Sequence, residues 1–158
     1  MNLSIDGHRP ASDERGQTLV EFALILPIFV LVLFGIFDLG RAVYAYNTVN
    51  NAAREAVRLA IVDQNVPAVR DRAVDMSVSL AVADADVSVK FLEADYTGNG
   101  TTNACASGGD PGPRIGCIAE VEVTYHYAAA TPIISSLIGK LTLVGSSQQP
   151  VERKFQSP

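Results

Sequence analysis

The sequence predicts an α+β protein in which a long N-terminal transmembrane helix continues into an amphipathic helix packed on a small antiparallel β-sheet. Three observations predict it. Residues 22–37 carry no charge and form an apolar run. Small apolar residues then recur at helical spacing to about residue 61. Alternating strand patterns appear only later, from about residue 87. Helices first and strands afterwards are the α+β order, with the sheet covered by the helices.

The apolar run comes first in the chain. From Leu19 to Phe37, 16 of 19 side chains are apolar. Phe22 to Phe37 rises about 24 Å as a helix, and Leu19 to Leu39 about 31 Å, enough to cross a bilayer core. Apolar residues cover every face of this helix rather than a stripe, which favours a membrane span over the alternative of a buried core helix. Pro27 lies inside the run and removes one backbone donor, which membrane helices tolerate. Asp38 and Arg41 stand at the boundary with i,i+3 spacing and suit a solvated pair. Tyr44 and Tyr46 follow where interfacial aromatics are common. A secretory signal is the rival reading, with Val43-Tyr44-Ala45 as a cleavage site and a mature start near Tyr46. Its apolar core is ordinarily shorter, and here the helical pattern continues past the site.

Val49, Ala52, Ala53, Ala56, Val57, Ala60 and Ile61 make a narrow, Ala-rich stripe. One helix is therefore expected from about Gln17 to Val62, with a Glu55–Arg58 pair on its wet side. Pro67 opens a second helix to Ala83, with Val66, Val69, Ala73, Met76 and Leu80 on one face. Val87, Val89 and Phe91 alternate as a strand. Residues 117–127 alternate more clearly, with Cys117, Ala119, Val121, Val123, Tyr125 and Tyr127 on one side. Thr131-Pro132 caps a short helix ended by Gly139. A last strand covers Leu141 to Ser146 and resumes near Val151.

Residues 95–117 read as one long irregular loop in two parts, with Cys105 ending the first and Cys117 the second. A Cys105–Cys117 disulfide would close it and fits an oxidising compartment; two free thiols are the alternative. Asp95, Thr97 and Asn99 imitate the start of a calcium loop, but position twelve is Ala106, so the bidentate carboxylate is missing. His126 beside Glu120 and Glu122 reads as a solvated strand face. No metal site and no cofactor is expected.

Composition narrows the function. Lys plus Arg number 12 against 17 Asp plus Glu, a formal net charge of −5, which argues against a nucleic-acid partner. Apolar residues make up 48% and charged residues 18%, and the greasy segment accounts for much of that imbalance. No nucleophile elbow, zinc-protease helix motif, phosphate loop or dinucleotide fingerprint occurs. Neither an enzyme nor a small-molecule substrate is expected.

Glu21 carries the most information. A carboxylate at the head of an apolar helix is costly unless paired. A cut between Gly16 and Gln17 would free an α-amino group one helical turn from it. That amine could pair with Glu21 in the same chain or in a neighbour, where the pair would set axial register. The plain alternative is a carboxylate at headgroup level that meets water.

Gly16-Gln-Thr-Leu-Val-Glu21-Phe22 resembles the processing site of type IV-like prepilins. The continuation Glu21-Phe-Ala-Leu-Ile-Leu-Pro27, then Asp38-Leu-Gly-Arg41-Ala-Val-Tyr44-Ala-Tyr46, then Asn51-Ala-Ala-Arg54-Glu-Ala-Val-Arg58, resembles the TadE-like family. That family contains pseudopilins of the tight adherence (Flp) pilus system. The resemblance covers about residues 16–62.

It implies a membrane-anchored pseudopilin or minor pilin with a pilin-like layout. Residues 1–16 would be a prepilin-type leader, residues 17–62 the helical region and residues 63–158 an extracytoplasmic α+β domain. Partners would be membrane lipid, a prepilin peptidase cutting after Gly16, other pilin and pseudopilin subunits, and the assembly machinery. The location would be the bacterial inner membrane. Loss of the leader removes Arg9 and Arg15 with Asp6, Asp13 and Glu14, taking the net charge from −5 to −4. Arg9 and Arg15 precede the span while Arg41, Arg54 and Arg58 follow it, so the positive-inside rule does not set the orientation. The resemblance implies the amino terminus inside. The alternative function is a single-pass, membrane-tethered extracytoplasmic binding module with no part in a pilus.

Overall fold

The computed structural model describes residues 13–95, 97–105 and 115–152. Residues 1–12 of the expected leader, and Ala106 of the calcium comparison, lie outside them. Helix α1 runs without a break over Asp13–Ala60, about 72 Å at 1.5 Å per residue. It starts within the expected leader and passes through Pro27. It ends two residues before the expected Val62, in a turn where the Asp63 N–H donates to the Leu59 carbonyl.

Helix α2 covers Val66–Met76. Asn65 caps it by accepting from the Ala68 N–H, and Pro67 stands in its first turn, where a missing donor costs nothing. The expected extension to Ala83 does not occur. Ser77 is buried and its hydroxyl donates back to the Ala73 and Val74 carbonyls. A 3₁₀ turn follows at Val78–Leu80, and Ala81 adopts φ 51°, which no helix continues through.

Strands β1 (Val87–Ala94), β2 (Gly100–Ala104), β3 (Ile118–Ala128) and β4 (Lys140–Pro150) form one antiparallel sheet in the order β2-β1-β3-β4. Strand β2 corrects the expectation of an irregular loop throughout 95–117. Its sequence, Gly-Thr-Thr-Asn-Ala, has no apolar alternation to announce it, and it pairs only with β1 at the sheet edge. Strand β4 is one continuous element to Pro150 rather than two pieces. Helix α3 (Pro132–Ile138) joins β3 to β4 and ends at Gly139, as the Pro and Gly spacing predicts.

The core lies between the helices and one face of the sheet. Val49, Ala52, Ala53, Ala56, Val57 and Ala60 of α1 are buried against Ala119, Val121 and Val123 of β3. Helix α2 adds Val69 and Ala73. The alternation of β3 thus emerges with the predicted side inward. The opposite face carries Glu120, Glu122, Thr124 and His126.

Small residues on α1 let its backbone come close to the sheet, and the closest approach is at Gly145 of β4. A Cβ there would lie 2.6 Å from the backbone carbonyl of Val49 and 2.7 Å from the Asn50 nitrogen. A glycine is therefore required where α1 crosses β4.

Candidate functional site

The exposed half of α1 is the first part of the site. From Leu19 to Phe37 the apolar side chains face outward on all sides, with Phe22 60% and Phe37 68% exposed. None of the most apolar 18-residue window is covered by the rest of the protein. A soluble core helix would be covered, whereas this segment is long and apolar enough to cross a membrane and is left uncovered by the described residues. Pro27 leaves the carbonyl of residue 23 without its helical donor, yet the helix does not break.

Gly16, Gln17 and Glu21 lie on the same helix, before and at the start of this run, and all three are exposed. No atom comes within 4 Å of a Cβ built on Gly16. Glu21 is about 26 Å along the helix axis from Asp38. The two acids at the edges of the apolar run therefore belong to different environments.

The expected Asp38–Arg41 pair forms, at 3.6 Å, but its acid is buried rather than solvated. Asp38 is 5% exposed, and its main partners lie across the fold. One carboxylate oxygen accepts the Ala130 N–H at 2.9 Å, and the other accepts the Thr131 N–H at 3.1 Å. Its backbone carbonyl accepts the Tyr127 hydroxyl at 2.7 Å. Arg41 approaches only to 3.6 Å and remains 57% exposed, its guanidinium 5.8 Å from the centre of the Tyr127 ring. Bonding from the Thr131 side chain, then from the Ala130 and Thr131 amides, holds the Asp38 carboxyl below the usual aspartate range. Burial, then the nearby Asp38 charge, pushes the Tyr127 hydroxyl up.

This geometry also corrects the reading of the α3 cap. Thr131 makes no side-chain cap to its own helix. The donors just before α3 are satisfied instead by Asp38, which is 93 residues away in sequence. The signal available in the sequence was a lone acid in a helical run of apolar residues. Nothing in local spacing identifies Ala130 and Thr131 as its partners.

The two cysteines lie at the opposite end of the domain. Cys105 and Cys117 are bonded, with Cα atoms 6.0 Å apart. The Val151 N–H donates to the Cys117 carbonyl at 2.7 Å, and the Glu152 N–H to the Ile61 carbonyl, so this end sits at the end of α1. The Asp95 carboxylate receives the Thr97 N–H, the Thr97 hydroxyl and the Asn99 N–H, forming a tight turn. These bonds, the Thr97 hydroxyl first, hold its carboxyl below the ordinary value. Among the described residues, no group of three or more His, Cys, Asp or Glu is placed to hold a metal. His126 has the Thr142 hydroxyl at 3.4 Å on the exposed sheet face.

Residues 16–58 match the family model of TadE-like proteins. The match begins at Gly16, takes in Glu21, the apolar run, Asp38 and Arg41, and stops inside the buried stripe of α1. Neither a curated protein nor a solved structure matches the chain.

Proposed function

We propose that this chain is a membrane-anchored pseudopilin or minor pilin that assists assembly of a tight adherence (Flp) type IVb pilus. The observation that carries this reading is the TadE-like match over residues 16–58, which coincides with an uncovered apolar helix. A TadE-like segment is the mark of a Tad pilus-associated protein. In this reading residues 1–16 are the leader, and a prepilin peptidase cuts the Gly16–Gln17 bond. The new α-amino group and Glu21 then pair between or within subunits, so that two charges enter an apolar bundle as one neutral unit. The helix from Phe22 to Phe37 lies in the inner membrane, and the sheet domain stands on its extracytoplasmic side, where the Cys105–Cys117 disulfide is stable. Neighbouring pilin subunits and the assembly machinery are the partners, with no substrate and no cofactor.

N-terminal sequencing of protein purified from membranes tests this directly. The expected mature terminus is Gln17, and Gly16→Ala should leave the leader attached. A dominant terminus at Met1 would favour the tethered binding module, in which the helix is only an anchor. A terminus near Tyr46 would mean a cleaved signal and no anchor.

A further inference from the structure

Helix α3 is held beside the apolar end of α1, where its Ile134 packs on the small cluster of Ala45, Tyr127 and Ala129 that joins α1 to the sheet. The Asp38 carboxylate holds the two amides that precede α3. One turn further toward the N-terminus of α1, the Ile134 side chain stands 3.8 Å from where a Cβ on Gly35 would be. Gly35 lies about 4.5 Å below Asp38 along the axis and inside the uncharged run. The start of β4 comes to the same level, because Leu141 pairs with Tyr127, whose hydroxyl bonds Asp38. Leu141 is nevertheless 46% exposed. The connecting sequence, Pro132-Ile-Ile-Ser-Ser-Leu-Ile-Gly-Lys-Leu, is mostly apolar and has one basic residue, Lys140.

We infer that the β3–α3–β4 corner is a second membrane contact: α3 and Leu141 rest in the headgroup and upper acyl region of the bilayer that α1 crosses. This rests on the reading of α1 as a membrane span. The occupant is lipid because the corner is continuous with the lipid-facing surface of α1 and lies at its outer edge. Arg41 and Lys140 are both exposed at this level and suit anionic lipid phosphates, with their stems along the apolar surface. Asp38, the acid at the same depth, is turned inward and fully bonded, so the corner presents cations to the headgroups and conceals its carboxylate. A short apolar segment lying in the interface is a known way to add membrane affinity without a second span. Its effect here is to fix the tilt and height of the sheet domain over the bilayer.

The protein has no tryptophan, so a single introduced indole reports one position. The full chain is reconstituted into phosphatidylcholine–phosphatidylglycerol vesicles carrying lipid brominated either near the headgroup end of the chains or near the bilayer centre. Leu141→Trp should lose most of its emission to the shallow bromines and shift to the blue. Ser136→Trp, at an exposed position on α3, gives the same reading if the first variant folds poorly and leaves both cations in place. Phe29→Trp should be quenched by the central bromines, and Thr102→Trp on β2 should be quenched by neither. If Phe29→Trp escapes quenching, α1 does not span and the premise fails. If Phe29→Trp is quenched but both corner reporters are not, the corner faces water or another subunit and the inference is overturned. Equal quenching of Thr102→Trp would also overturn it, since contact would then be indiscriminate.

Discussion

The Asp38 carboxylate accepts the backbone N–H of Thr131 at 3.1 Å, joining the boundary of the apolar helix to the turn that launches α3. With the Ala130 amide on its other oxygen and the Tyr127 hydroxyl on its carbonyl, residue 38 fastens α1 to the sheet at the end nearest the apolar run. The Val49–Ala60 stripe does the same job further along. The helix is thus attached to the sheet domain at two separate places along its length.

Asp38→Ala should therefore loosen the β3–α3 junction and lower the melting temperature by several degrees in detergent, because two amides lose their acceptor. Arg41→Ala should cost far less, since that pair is long and exposed. Circular dichroism melts of both variants check the contrast. Equal losses would mean that the ion pair, not the amide cap, carries the attachment.

Stability should also fall in acid, and the sign follows from the direction of the shifts. Asp38 and Asp95 both have folded-state carboxyls held below the ordinary value. Near and below the ordinary aspartate range the unfolded chain binds protons that the folded chain does not. The stabilisation is thus complete above that range and is lost as pH falls through the lower folded values. Melting temperature against pH should show this acid limb, and Asp38→Asn should make it shallower while Asp95 retains its share.

Gly145→Ala should destabilise by about 1–3 kcal/mol, as overpacking does, because the new methyl meets the Val49 carbonyl and Asn50 nitrogen, which are backbone and cannot turn aside. Gly100→Ala should cost less. Its tightest contact, 2.9 Å, is the end of the Leu92 side chain, which can rotate. Denaturant melts of the two variants side by side measure the difference.

Reduction of Cys105–Cys117, or the double substitution to serine, should remove roughly 3 kcal/mol, the entropy of closing a short loop. The loss should concentrate at β2 and the end of β3, visible as faster amide exchange there. Uniform loss across the sheet would mean that the bond supports the whole domain.

Glu21→Ala should leave membrane insertion intact, since it removes a charge from an apolar helix, but should impair assembly with other subunits. Membrane fractionation and recovery of assembled complexes report the two separately. Normal assembly would remove the paired-charge role from Glu21.

The alternation along β3, the Ala-rich stripe of α1, the short Pro–Gly helix α3 and the apolar run were all legible in the residues. Each depends on a period within one element, and periodicity is local. The family resemblance was legible for the same reason: its residues fall in one continuous helix. The edge strand β2 was not, because its ladder bonds to β1 stabilise it without any apolar pattern of its own. The early end of α2 also escaped, since it follows from a buried Ser77 turning its hydroxyl back on its own helix.

The sequence by itself determined that one helix is long and apolar enough to cross a membrane, where its apolar run lies, and that a helix-covered sheet follows it. Those are properties of side chains one turn or one pleat apart. Only the tertiary structure decided that Asp38 belongs to the domain and not to the solvent, and that Gly145 is where the two layers nearly touch. It alone also brought α3 down beside Gly35. Each of these joins residues about 90 or more positions apart, and no local spacing encodes which buried amide, backbone carbonyl or helix face a distant residue will meet.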